Sequence, residues 1–454
     1  MSAARKPVPV SATPVRSTHR SLLRRLQRCS FAYFVHEINP ANGLVSDKTA
    51  ADWPASIAAI GMALTAYPVG VARRFIGRKE AAQLTLTALR FLAGSEQSDA
   101  PDATGYKGFY YHFLHMDTGR RAWRSELSSI DTALLIAGVL AAAAYFDRAT
   151  DAEVEIRDLG RMLYERVDWA WMLAGADTLC HGWRPEQGFL PYRWEGYDEA
   201  LVLYLLALGS PTHAIAAASY DAWCASYEWK NIYGIEYLYA GPLFTHQLSH
   251  IWCDFRGIRD RFMAGHDCDY FENSRRATQV QQQYAIRNPL GFKHTGELCW
   301  GVTASDGPGF VVEKIDGIER VFFDYVARGV PYGPDDGTIA PWAVAASLPF
   351  APEIVVPTLA NMAGLIVQIE NPYGFKASIN PVYHAHGADD GVGWVSPFHF
   401  GINEGPTLLM IENHRSGMVW SLMKQCAPLV AGLRAAGFSG GWLDSNGEQP
   451  CSLQ

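Results

Sequence analysis

The sequence has no Cys-x-x-Cys pair. Its 8 cysteines are scattered from Cys29 to Cys451, which excludes a thiolate zinc cluster and, at this length, a small disulfide scaffold. They read as reduced, mostly buried thiols. No uncharged apolar run reaches the roughly eighteen residues that a membrane span needs. The longest apolar stretch, 133–146, reads as a buried helix. Charge is sparse, at 19% of residues, and of the wrong sign for a nucleic-acid binder. Lys and Arg number 38 against 46 Asp and Glu, a net charge of −8, where nucleic acid would call for a concentrated basic face. No glycine loop stands between a strand and a helix to cradle phosphates, and no Gly-x-Ser-x-Gly elbow occurs. Neither a nucleotide cofactor nor a serine nucleophile is therefore expected. His246, His250 and Asp254 recur at four-residue spacing but lack the glutamate of a zinc-protease helix. They read as a satisfied histidine face, and no metal or other cofactor is expected. Residues 1–20 lack the apolar core of an export signal and read as a flexible tail. The expected location is cytoplasmic, or periplasmic if export uses another route.

Apolar and aromatic residues are abundant: 49% of the chain is hydrophobic, with 14 Trp, 21 Tyr and 21 Phe. The 454 residues allow roughly three average domains or one large barrel. No composition break follows the tail, so 21–454 reads as one domain. Apolar residues recur at helical spacing over 22–34, 53–71, 78–92, 128–145, 154–171, 198–208 and 211–227. The pattern continues over 245–255, 269–288, 339–348, 352–369, 405–413, 417–423 and 428–436. Strand and helix patterns do not alternate, which disfavours a parallel α/β sheet. The loops 106–115, 182–197, 301–309, 330–338 and 373–405 are long and rich in Gly, Pro, Trp and Tyr. Long loops are functional or disordered, and disordered ones would lack the aromatics. The expected fold is all-α: an (α/α)6 toroid of helical hairpins with aromatic loops around one mouth.

Aromatic planes suit pyranose rings. Cleaving a glycosidic bond requires one protonated carboxyl at the leaving oxygen and one ionised carboxyl across from it. Three places offer acids. Glu126 lies just before a very apolar helix and Asp131 in its first turn, where backbone N–H groups favour a charged carboxylate. In Trp194-Glu-Gly-Tyr-Asp-Glu-Ala, Asp198 reads as the helix cap and Glu199 as a functional acid. Trp183, Trp194 and Tyr197 are expected to desolvate Glu199 and hold its proton. The third group, Asp306 with Asp335 and Asp336, matches ordinary Asp-Gly turn chemistry. Glu404 begins another helix and could bind a hydroxyl. Arg275 and Arg276 could hold sugar hydroxyls or pair structurally.

Several motifs in one order carry a resemblance: Glu126-Leu-Ser-Ser-Ile-Asp131-Thr-Ala-Leu-Leu, Trp194-Glu-Gly-Tyr-Asp-Glu199-Ala and Gly241-Pro-Leu-Phe-Thr-His246-Gln. Tyr270-Phe-Glu-Asn-Ser-Arg275-Arg-Ala-Thr, Trp300-Gly-Val-Thr-Ala-Ser-Asp306-Gly-Pro and Asp335-Asp-Gly-Thr-Ile-Ala-Pro follow. Over roughly residues 20–440 the chain resembles the glucoamylase-like proteins grouped around glycoside hydrolase family 144, the β-1,2-glucanases. The resemblance implies an (α/α)6 barrel that hydrolyses β-1,2-glucan or its oligosaccharides with inversion. It implies catalytic acids at Asp131 and Glu199 and a further acid just upstream, for which Glu126 is nearest. Glu199 would be the general acid, and Asp131 with Glu126 would activate water directly or through a substrate hydroxyl. Trp183, Arg193, Trp194 and Tyr197 would line subsites, with His246, Arg275, Asp306 and Glu404 as further substrate contacts. An exo-acting β-glucosidase or transglycosylase of the same clan, and a non-catalytic glucan-binding protein, are the alternatives.

Overall fold

The computed structural model describes residues 13–365, 372–384 and 393–445. Its helices in chain order begin with α1 (Thr13–His36), α2 (Ile57–Arg73), α3 (Arg78–Gly94), α4 (Ser129–Tyr145) and α5 (Asp151–Glu165). Next come α6 (Leu201–Leu208), α7 (Ala217–Cys224), α8 (Arg261–Gly265), α9 (Tyr270–Arg287) and α10 (Pro341–Ala346). The last are α11 (Pro352–Leu365), α12 (Gly401–Ser416), α13 (Met418–Met423), α14 (Ala427–Ala435) and α15 (Gly441–Ser445).

The innermost helices are apolar on every side. All of α6 is buried, as are α10 and nearly all of α2 and α4. Their packing depends on missing side chains. A Cβ on Gly138 would stand 2.0 Å from the Gly61 carbonyl oxygen, and one on Gly61 2.3 Å from that of Leu134. The α2 and α4 backbones therefore touch, and only glycine permits the approach. α12 packs on α2 and α10, and α4 on α6. These five helices form an inner layer. α1 covers α12, α3 and α5 cover α2 and α4, α11 covers α10, and α14 covers α6. Among the described residues no helix is long and apolar enough to cross a membrane.

Several sequence expectations need correction. α1 begins at Thr13, inside the stretch expected to be a flexible tail, while 1–12 lie outside the described residues. The helix expected over 245–255 is two single 3₁₀ turns, Leu243–His246 and Leu248–Ile251. The fold is helix-rich but its loops are not free of strands. Among the described residues they pair into seven small antiparallel sheets, the longest hairpin joining Val311–Ile315 to Ile318–Phe322. Buried loop backbone must satisfy its N–H and C=O groups, and short strand pairs do so.

One buried ion pair braces the segment after that hairpin. Arg328 Nε and Nη2 donate to Asp336 Oδ1 and Oδ2, each at 2.8 Å, and both side chains are wholly buried. Arg328 also donates to the Phe323 and Asp324 carbonyls, and Asp336 accepts from Phe323 N. Burial opposes the Asp336 charge, but the Arg328 guanidinium overrides it and holds the carboxyl below its usual range. A depressed carboxyl stabilises above its unfolded pKa, and that contribution is lost as pH falls through the folded value. Asp336→Asn is expected to cost about 3–5 kcal/mol, because Arg328 stays buried without its counter-charge. Guanidinium unfolding of that variant and of the double variant Arg328→Met/Asp336→Leu checks this. The double variant should recover only part of the loss, because the Phe323 and Asp324 carbonyls and Phe323 N are left without these partners. A single-variant loss under about 1 kcal/mol would contradict the account.

Candidate active site

The loops that feed the inner helices carry the acids. The loop before α2 holds Asp47, that before α4 holds Glu126, that before α6 holds Glu199, and α12 carries Glu404 in its first turn. Helix N-termini present unpaired N–H groups and a positive dipole end, which favour carboxylates in a first turn such as those of Asp131 and Glu404.

Asp131 is buried in the first turn of α4. The N-cap Ser128 hydroxyl accepts from Asp131 N at 3.1 Å and donates to Asp131 Oδ2 at 2.5 Å. One carboxylate edge is thereby fixed. Glu199 stands two residues before α6, half-buried, with its carbonyl accepting from Ser249 Oγ at 3.3 Å. Burial pushes its carboxyl up to about 7, and the charge of Asp131 adds to the rise against the pull of its own backbone N–H. Solvent reaches part of the side chain, and burial is still the largest influence on its carboxyl. Its neighbour Asp198 does not cap the helix, which starts at Leu201. It accepts from Ala200 N at 2.9 Å and Trp223 Nε1 at 3.2 Å. Burial and the Glu199 charge raise its carboxyl.

Glu126 is half-buried. His112 Nδ1 lies 3.0 Å from its Oε1, and Arg184 Nη2 donates to Oε2 at 3.4 Å. Burial opposes its charge, yet His112, its own backbone N–H and Arg184 together hold it near 2. His112 escaped sequence reasoning, since a lone histidine in Tyr-Tyr-His-Phe carries no motif. Its Nε2 stands 3.6 Å from Asp131 Oδ2. Burial opposes its charge, but Asp131, Glu126 and Asp47 push it up to about 9. Asp47 was also missed. It is buried, accepts from Trp53 Nε1 at 3.0 Å, and is raised mainly by burial. Lys48 lies 3.7 Å above the Trp53 ring. Trp123, 54% exposed, meets Trp53 edge-on at 4.6 Å. A recess of about 550 Å³ lined by His36, Glu37, Asp52, Trp53, His115 and Asp117 adjoins this wall.

Tyr325 completes the cleft. It sits in the segment braced by Arg328 and is 55% exposed, yet Asp47, Asp306, Asp131 and Glu199 all raise its phenol after the larger effect of burial. Solvent reaches the ring, and its phenol lies within the electrostatic reach of those four acids. Asp306 is buried among Ser378 Oγ at 2.7 Å and Ser396 Oγ at 2.5 Å. Burial raises its carboxyl against those two donors. Asp335 accepts from Gly337 N at 2.9 Å, the expected turn.

The other expected substrate contacts divide. Trp183 lies on a strand paired to Leu127, beside Glu126, within an aromatic cluster with Tyr106 and Trp171. Glu404 is buried with Oε1 at 3.0 Å from His399 Nδ1. Five expectations need correction. Trp194 is buried, stacked on His181 at 3.8 Å, and its indole N–H donates to Ser129 Oγ, so it packs the wall from behind. Arg193 donates to the carbonyls of Leu173 and Thr178 and holds that loop. His246 is wholly buried against Ala240 O at 3.3 Å, and burial lowers it to about 4. Arg275 lies on α9 and pairs with Glu272 and Glu353. Tyr197 packs on His246 at 5.1 Å and on Tyr270 and is half-buried, so its ring turns inward from Glu199.

Residues 191–427, just over half of the chain, match the model of a family described as "Putative glucoamylase". The chain is 28% identical over 463 residues to an exo β-1,2-glucooligosaccharide sophorohydrolase (non-reducing end) of Parabacteroides distasonis. That match covers 94% of this chain but 59% of the relative's length. Among solved structures, one described as a putative glucoamylase from Bacteroides uniformis superposes with a TM-score of 0.81 at 28% identity, covering 96% of this chain and 100% of that one. A β-1,2-glucanase from Parabacteroides distasonis gives a TM-score of 0.80 at 25% identity, covering 94% and 60%.

Proposed function

This chain belongs to the putative glucoamylase family, and from that premise we propose that it hydrolyses β-1,2-linked glucan or its oligosaccharides with inversion. Glu199 is the general acid that protonates the leaving glycosidic oxygen. Asp131, with Glu126 behind it, activates the attacking water, directly or through a substrate hydroxyl. The chain from α1 onward forms one catalytic domain, and the inner and outer layers close into an (α/α)6 toroid whose mouth holds the site.

One observation carries this reading. Burial keeps a proton on Glu199 up to about pH 7, and Asp131, close enough for its charge to add to that rise, has one edge fixed by Ser128. Glycoside hydrolysis needs such a pair, one carboxyl protonated and one ionised. Pure binding would need no acid held in its protonated form. The linkage is supported by the Parabacteroides distasonis sophorohydrolase, which is similar over nearly the whole of this chain.

Incubation with linear β-1,2-glucan, followed by chromatography of the products, tests the proposal. Release of sophorose, glucose or larger β-1,2-linked oligosaccharides is expected. Sophorose alone would mark exo action, and a ladder of sizes endo action. Intact substrate after prolonged incubation with folded protein would refute the substrate class, and products longer than the substrate would indicate transglycosylation.

A further inference from the structure

His112 is a half-buried imidazole in the loop before α4, set among the carboxylates of Asp47, Glu126 and Asp131. Its ring lies 3.0 Å from Glu126 Oε1 and 3.6 Å from Asp131 Oδ2, and it feels the charge of Asp47. The backbone holds it there from both sides: His112 N donates to Glu126 O at 2.9 Å, and its carbonyl accepts from Ile57 N, the first residue of α2, at 3.2 Å. Phe113 stacks against the ring at 3.9 Å. The backbone is thereby fixed, and Phe113 packs flat against the ring that reaches Glu126 and Asp131.

We propose that His112 is a positioning residue of the hydrolytic site, an imidazolium that clamps Glu126 and Asp131 and keeps Asp131 a carboxylate while Glu199 retains its proton. The proposal rests on the hydrolase reading above. The charges around the ring make the case. From the loop before α2 come Asp47 and Lys48, and from the α4 side Glu126 and Asp131. From the strand Gly182–Arg184 comes Arg184, which reaches Glu126, with His181 beside it. Glu199 and Tyr325 close the cleft opposite. Arg184 serves Glu126 and Lys48 offsets Asp47, while the His112 ring is the group 3.6 Å from Asp131. Without the imidazolium, like-charge repulsion would favour protonation within this carboxylate group, and the water-activating pair would lose its charge.

The test uses the full chain with His112→Gln, which can still hydrogen-bond Glu126 but cannot carry charge, and with His112→Ala. On linear β-1,2-glucan, the acid limb of the kcat–pH profile should move up by about one pH unit or more. The basic limb, set by Glu199, should stay in place. Added imidazole should move the acid limb of His112→Ala back towards wild type. An acid limb unmoved in either folded variant overturns the proposal. A second readout needs neither variant nor activity: the ¹⁵N shifts of the His112 ring in the wild-type protein. The ring should stay doubly protonated through pH 7.5, and in Asp131→Asn it should titrate lower. Titration of wild-type His112 near the ordinary value of about 6.5 also overturns it. If the wild type cleaves no β-1,2-glucan but the ring stays protonated, the substrate reading fails and the clamp stands.

Discussion

Glu199→Gln is expected to lower kcat on β-1,2-glucan by about two to four decades, the usual effect of removing a general acid. Glutamine keeps the volume and the carbonyl oxygen but has no acidic proton for the departing oxygen. In the wild type, burial holds that proton on Glu199 up to about pH 7. The basic limb of kcat/KM for the free enzyme should therefore fall near neutral pH and vanish in the variant. The same burial has a consequence for stability. A carboxyl raised in the folded state contributes fully below its unfolded pKa, and the contribution is lost as pH rises through the folded value. Wild-type stability should thus decline between roughly pH 4.5 and 7, and the glutamine variant should lack that decline. Thermal unfolding at pH 5 and pH 8 shows this as a gain in Tm for the variant that is larger at pH 8. A folded variant that keeps more than about a tenth of the wild-type rate would show that Glu199 is not the acid.

The legible parts of this molecule are those where one kind of interaction decides the outcome. α4 and α6 could be read from the sequence because they are apolar on every side, and only deep burial in a helical layer tolerates that. Asp335 read as a turn because an Asp side chain bonding two residues onward is a local event. The 245–255 segment has helical periodicity but forms two 3₁₀ turns. Long-range bonds hold it: Ser249 Oγ to the Glu199 carbonyl, Asn413 to the Ile251 carbonyl and Gln247 to the Ala343 carbonyl. Such partners, scores of residues away, override local propensity. Trp194 and Arg193 looked like sugar contacts because they stand beside an acid in sequence. Whether an indole faces the cleft or the core depends on its N–H partner, here Ser129 from another helix. Asp47 reaches the site from the loop before α2, and His112 from far back in the loop before α4, where only the folded loop brings it against Glu126 and Asp131. The acids on helix starts were visible, and the groups that tune them were not.

Asp131→Asn should be as damaging as Glu199→Gln, with a loss of about two to four decades in kcat, but for the opposite reason. The asparagine cannot take a proton from the attacking water, and its amide group would compete for the Ser128 hydroxyl that now donates to Oδ2. It also removes a negative charge that raises Glu199 and His112. The basic limb of whatever activity remains should accordingly move down, not vanish. The substrate's leaving group separates the two variants. A sophoroside of a good phenolate leaving group departs without protonation, so it should restore much of the rate to Glu199→Gln and little to Asp131→Asn. Azide acts in reverse: needing no base, it should rescue Asp131→Asn and give an α-glycosyl azide, the product of attack from the face opposite the departing β-linked sugar. Retention of more than about a tenth of the wild-type rate by the folded asparagine variant would move the base to Glu126 or Asp47. A β-configured azide would show that Asp131 is not the base of an inverting reaction.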